Sequence, residues 1–129
     1  MPFIEAARTR IKQLPERDPA RVVLEFMLKH ATGIENSKSW YLIQAELKDH
    51  GIEMTQTQFQ QTVLAETRAA DIFIASTDHG RGRGYFLIKD HGDAMTMRNF
   101  YENRIAAEQA NLANLNRLID IQWPPAQTT

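Results

Sequence analysis

With 129 residues and 43% hydrophobic content, the chain can build one compact domain with an appended helix and is too short for two ordinary domains. It contains no cysteine, which excludes a disulfide framework, a thiolate metal site and a thiol nucleophile. Fifteen Lys and Arg against sixteen Asp and Glu give a formal charge of -1, so no overall basic field draws the molecule onto nucleic acid, and any such role must rest on locally concentrated positive charge. The first residues hold no long apolar run, and no later stretch approaches the roughly 18 apolar residues of a membrane span. A soluble, cytoplasmic protein is expected.

Ile4, Ala7, Ile11 and Leu14 recur at helical spacing until Pro15 ends the run, which predicts an amphipathic arm over residues 1–17. That arm packs either on its own domain or on a partner subunit. Asp18-Pro19 is a helix start, because Asp accepts hydrogen bonds from unpaired backbone N–H groups and Pro at the first helical position has none to lose. The helix it opens presents Val22, Val23, Phe26 and Met27 to the core, with His30 at the boundary, and Thr32-Gly33 stops it. A polar connection over residues 34–38 follows, and Ser37 or Ser39 caps a second helix that runs to about His50. Trp40, Ile43 and Leu47 share one face of it, and Gly51 is placed for the left-handed closing conformation. Thr55 then caps a third helix, so that two helices joined by a short Gly-containing turn form a helix-turn-helix.

If the third helix buries Phe59, Val63, Thr67 and Ala70, its rotation of about 100° per residue turns Thr57, Gln58, Gln61, Ala65 and Arg68 outward. Gln suits bidentate contact with adenine in a major groove, and Thr suits phosphate oxygens or a thymine methyl. The same residues also suit an ordinary solvated helix face. Strands over residues 72–77 and 85–89 are predicted to follow, with Ile72, Ile74, Phe86 and Ile88 in one phase and Phe73, Tyr85 and Leu87 in the other. Between them the loop 78–84 interleaves glycines with Arg81 and Arg83. It can approach a phosphate backbone or a minor groove, or simply keep a long hairpin soluble.

Asp-His-Gly occurs three times, beginning at Asp49, Asp78 and Asp90. Repeated Asp-His invites a metal or acid-base reading, but each copy falls where an element ends and all three residue types tolerate turns. Turn punctuation is the expectation, with no metal or cofactor. From Asp93, read as a further cap, a long helix is predicted to about Gln122, before Trp123-Pro124-Pro125 breaks it. Tyr101, Ile105, Glu108, Leu112, Leu115 and Ile119 trace a heptad seam along this helix, with Glu108 standing where an apolar residue is expected. Roughly thirty helical residues span about 45 Å, more than a domain of this size needs. Part of the helix over residues 91–123 is therefore expected to find a partner, most economically its own copy in a two-fold dimer. The tail 124–129 is expected to be mobile.

On these residues the span 18–89 resembles the winged helix-turn-helix superfamily. The likeness rests on the Gly51-Ile52 turn, the third helix, the strand Ile72-Phe73-Ile74 and the return strand Gly84-Tyr85-Phe86-Leu87-Ile88. A glycine-led aromatic return strand followed at once by a long helix is similar to small helix-turn-helix proteins of phages and mobile elements. The resemblance implies a mainly α fold with a β-hairpin, a winged domain over residues 18–90, and binding to double-stranded DNA. Gln56, Thr57, Gln58, Gln61 and Arg68 would be supplied from the third helix in the major groove, and Arg81 and Arg83 from the wing on the backbone or minor groove. Two features depart from the pattern: the first turns of the third helix hold few basic residues, and Asp71 stands where many relatives place a turn glycine.

The leading expectation is thus a homodimeric DNA-binding protein, either a transcriptional regulator or a phage or mobile-element DNA accessory. The alternative is a protein-binding module on the same scaffold, such as a phage-encoded inhibitor of a host complex acting in the host cytoplasm. Clustering of Arg68, Arg81, Arg83 and Lys89 on one side would favour DNA. Enzymatic activity is not expected, since the sequence holds no phosphate-cradling loop, zinc-hydrolase His spacing or serine elbow.

Overall fold

The computed structural model describes residues 2–77 and 84–126, and the chain is mainly helical, with a two-stranded antiparallel hairpin and a long C-terminal helix. It divides into two units, Met1–Ala94 and Met95–Thr129. In the first, α1 (Pro2–Gln13) and α2 (Pro19–His30) pack together. Ala7 and Leu14 are buried and Ile4 and Ile11 pack against the same core, so the arm lies on its own domain. Arg21 Nη1 donates to the Leu14 carbonyl at 2.8 Å, satisfying an acceptor that the end of α1 leaves open. Asp18 caps α2 as predicted, accepting from Ala20 N at 2.8 Å. Val22, Val23, Leu24 and Met27 are buried, whereas His30 is exposed and only its ring meets Phe26, at 5.2 Å. The helix ends at His30, which therefore lies at the edge of the core.

α3 spans Trp40–Asp49, with Ser39 at the cap position but without a side-chain cap bond. Ser37 donates to the Ile34 carbonyl instead. Gly51 takes φ 76°, and its N–H and that of Ile52 bond back to Lys48 and Leu47, which closes the helix through a left-handed residue. α4 begins at Gln56 and runs through three segments to Ala69. It closes in the same way, with Asp71 N–H bonded to Arg68 O and Ile72 N–H to Thr67 O. Here the left-handed residue is Asp71, at φ 60°. Asp is among the few residues with a Cβ that visit this conformation readily, so a turn that glycine makes without steric cost is made here with an acid.

β1 (Ile74–Thr77) and β2 (Gly84–Leu87) pair antiparallel, Ile74 opposite Leu87 and Thr77 opposite Gly84. Both are shorter than the predicted strands, and the predicted alternation fails on the return strand: Tyr85, Phe86, Leu87 and Ile88 are all buried. β2 is also paired along its far edge. Lys38 and Tyr85 exchange backbone hydrogen bonds of 2.9 and 2.8 Å, and Leu87 bonds to Ala31 and Gly33 at 2.8 Å each. The connection between α2 and α3 thus completes the second backbone edge of β2. Burial of both side-chain phases means that both faces of the strand are covered, the situation in which a strand reads as a continuous apolar run. The C-terminal helix spans His91–Gln122, so the cap is Asp90 rather than Asp93. Asp90 Oδ1 accepts from Asp93 N at 2.8 Å, and Asp93 Oδ2 from Lys89 N at 3.2 Å. Two of the Asp-His-Gly copies are therefore punctuation, one closing α3 and one opening the C-terminal helix. The copy at Asp78 and the tail residues 127–129 lie outside the described residues.

Gly84 is the tightest point of the hairpin. It sits at φ 147°, and a Cβ there would lie 2.2 Å from the Lys38 carbonyl oxygen. Gly84→Ala is expected to force β2 off Lys38 and to cost about 1–3 kcal/mol in urea unfolding. Asp71→Gly, which relieves a left-handed Cβ, is expected to be neutral or to stabilise by up to about 1 kcal/mol in the same measurement.

Candidate nucleic-acid interface

Each end of α4 is held to a different part of the first unit. At its start Thr55 and Gln58 form a reciprocal cap: Gln58 N donates to Thr55 Oγ1 at 3.1 Å, and Thr55 N to Gln58 Oε1 at 2.9 Å. The Thr-x-x-Gln spacing of such a box was readable in the sequence. Gln58, expected to face a ligand, thus has its carbonyl oxygen committed to the helix terminus. One residue on, Phe59 is fully buried, its ring 5.0 Å from Trp40 of α3 and edge-on at 5.1 Å to Tyr85 of β2. The Tyr85 hydroxyl accepts from Gln56 Nε2 at 3.1 Å and from Gln60 Nε2 at 3.3 Å. Gln56, which the resemblance assigned to the groove, is therefore exposed but tethered by its amide to the hairpin. No spacing in the sequence pointed to Gln60 or to this use of Tyr85.

The middle of α4, Gln60–Leu64, is π-helical. Thr62 Oγ1 donates back to Gln58 O at 2.6 Å, a bond that competes with the regular ladder and accompanies bends. The wider turn buries Val63 and Leu64 together, where unbroken α spacing would bury Val63 and turn its neighbour partly away. Thr67 is buried as predicted and donates to Leu64 O at 3.0 Å, while Ala70 is only half-buried. Thr57, Gln61, Ala65 and Arg68 are exposed, as the helical rotation predicts. Among the described residues Thr57 and Gln61 make no side-chain hydrogen bond, and the Arg68 guanidinium lies 5.8 Å from the centre of the Phe73 ring. The open polar face of α4 is therefore narrower than the sequence suggests.

Charge is also partly used within the domain. Lys89 and Glu35 form an ion pair. The shared hydrogen bond is the main cause holding Glu35 below the usual carboxylate range and Lys89 above the usual lysine range. The Lys89 charge is therefore matched throughout the neutral pH range. Arg10 pairs with Glu66 of α4 at 3.2 Å. Arg81 and Arg83 lie outside the described residues. On α3, Tyr41 is 80% and Leu42 52% exposed, an apolar surface that the sequence reading did not single out.

In the second unit, the seam residues Ile105, Glu108, Leu112, Leu115 and Ile119 are all exposed and Tyr101 is half-buried. Leu118, Ile121 and Trp123, which the seam does not include, are exposed as well. Among the described residues no three His, Asp or Glu side chains gather closely enough to hold a metal ion, and no helix is long and apolar enough to cross a membrane. Comparison with protein-family models, curated proteins and solved structures returned no match.

Two substitutions separate packing from tethering in this site. Phe59→Ala is expected to cost about 3–5 kcal/mol by urea unfolding, as for other buried aromatic truncations. Tyr85→Phe keeps the ring and removes only the hydroxyl that Gln56 and Gln60 share. The exposed amides can turn to water, so it is expected to cost about 1 kcal/mol or less while shifting the side-chain amide resonances of both glutamines.

Proposed function

We propose that the chain is a dimeric DNA-binding protein of winged helix-turn-helix type, with the outward face of α4 in the major groove and the segment 78–84 on the backbone or minor groove. The observation that carries this reading is the presentation of α4. Its back is locked by Phe59, Val63 and Leu64, its start is capped by Thr55, and its front offers Thr57, Gln61 and Arg68 to solvent. A helix held from behind with polar groups on its open side fits a groove about 12 Å wide. The element order supports the winged type: α2, the bridged segment around Thr32 and Lys38, α3, α4, and a hairpin whose return strand meets that segment. Gln61 is the residue best placed to read a base, Thr57 and Arg68 suit phosphate, and Gln56 and Gln58 serve mainly to hold the helix start.

One observation favours a second reading. The exposed Tyr41 and Leu42 on α3, together with the internal pairing of Lys89, suit a protein partner better than a phosphate backbone.

Binding of the full chain to a labelled pool of duplexes across a salt series tests the choice. For DNA, affinity is expected to fall steeply with salt, and the Arg81→Ala/Arg83→Ala double variant should flatten the log–log slope by about 1.8 if each arginine meets one phosphate. On a selected site, Gln61→Ala should remove about 1–3 kcal/mol of base discrimination and leave the slope unchanged. Absence of binding at low salt, with a Tyr41→Ala/Leu42→Ala variant losing a protein partner, would replace this reading with the second.

A further inference from the structure

The exposed stripe of the C-terminal helix carries one acid. Ile105, Leu112, Leu115 and Ile119 are between 40% and 57% exposed. Glu108, on the same face, is exposed and makes no hydrogen bond or ion pair among the described residues. At about 100° per residue, Gln109 and Asn111 flank this stripe on its two sides, and both are exposed. Charged residues are sparse along it: Arg104 and Arg117 against Glu102, Glu108 and Asp120 over residues 101–123.

Symmetry limits how a second copy can cover such a stripe. In a parallel pair the two-fold axis runs along the seam, and every seam residue faces its own copy. Glu108 would then meet Glu108 of the partner subunit. Two like charges about 6 Å apart weaken association by about threefold at the dielectric constant of water and about a hundredfold at an effective value of about 20. A parallel pair stacks one further apolar layer, but only by confronting those two carboxylates. In an antiparallel pair the axis crosses the helices at a single point, and only residues near that point meet their copies. With the axis at Ala110, Ile105 lies opposite Leu115, Tyr101 opposite Ile119 and Glu108 opposite Leu112. Gln109 and Asn111 then approach their own copies. An amide carries both donors and an acceptor and can bond to another amide, whereas a carboxylate only accepts. The Glu108 stem can lie along a leucine and extend its charge to water.

We propose that two copies of this chain pair antiparallel through the C-terminal helix, about an axis at Ala110. The proposal rests on the dimeric part of the function above and adds the orientation and register of the pair. It is independent of whether the partner of α4 is DNA.

The absence of native cysteine makes introduced thiols the only ones in the molecule. Full-length Ile105→Cys and Leu115→Cys variants would be oxidised separately and after co-expression, beside sedimentation equilibrium of the unaltered chain. The expected result is a dimer mass, with the mixed pair forming at least about ten times more intermolecular disulfide than either variant alone, because only the mixed pair meets the distance limits of the bond. Self-crosslinking of either variant as efficiently as the mixture would overturn the orientation and leave the dimer standing. A dimer in which no combination crosslinks would overturn the proposal by placing the contact elsewhere. A monomer mass would overturn both this proposal and the dimeric part of the proposed function, without bearing on DNA contact by a single copy.

Discussion

Phe59 is the side chain on which the arrangement of the first unit depends. It is the first inward residue of α4, fully buried, and its ring meets Trp40 of α3 and Tyr85 of β2. Three elements are thereby referred to one ring. Aromatic pairs at such separations prefer tilted or edge-to-face geometry, and both contacts of Phe59 have it. Because Tyr85 also shares a backbone ladder with Lys38, the ring contacts and the ladder fix β2 from two directions. α4 can then be irregular, because it is positioned by its neighbours and not by its own helical propensity.

That positioning has a cost in freedom. The hydroxyl that completes Tyr85 takes the amides of Gln56 and Gln60, and the cap at Thr55 takes the carbonyl of Gln58. Three of the glutamines that make the helix look like a reading surface are thus engaged in holding it. The π turn at Gln60–Leu64 works in the same direction, since it brings Leu64 into the core beside Val63. What remains open is a compact patch of Thr57, Gln61 and Arg68. A small, rigid patch favours discrimination through few well-placed contacts over affinity through many.

The near-zero net charge takes on a different meaning once the pairs are located. Lys89 with Glu35, Arg10 with Glu66 and Arg21 with Glu25 are internal to the first unit. On its partly exposed surface such pairs contribute little to stability. Their consequence is electrostatic: the cations they hold do not add to an external field. Any long-range attraction for a polyanion must therefore come from lysines and arginines outside these pairs.

The sequence by itself determined the element order, because that order is written in local chemistry. Asp18-Pro19, Thr55 and Gly51 act on the few backbone groups next to them, and the helical spacing of Phe59, Val63 and Thr67 marks a buried face without reference to what covers it. Local signals placed the helix ends to within a few residues, as at Asp90 and Asp93, where two acids three apart compete for one cap. Tertiary structure alone decided what each exposed polar group does. The tether of Gln56 to Tyr85 spans twenty-nine positions, and the second edge of β2 pairs with a segment about fifty residues earlier. Hydrogen bonds between residues so distant in sequence depend on how the chain folds back, and no periodicity or spacing encodes them.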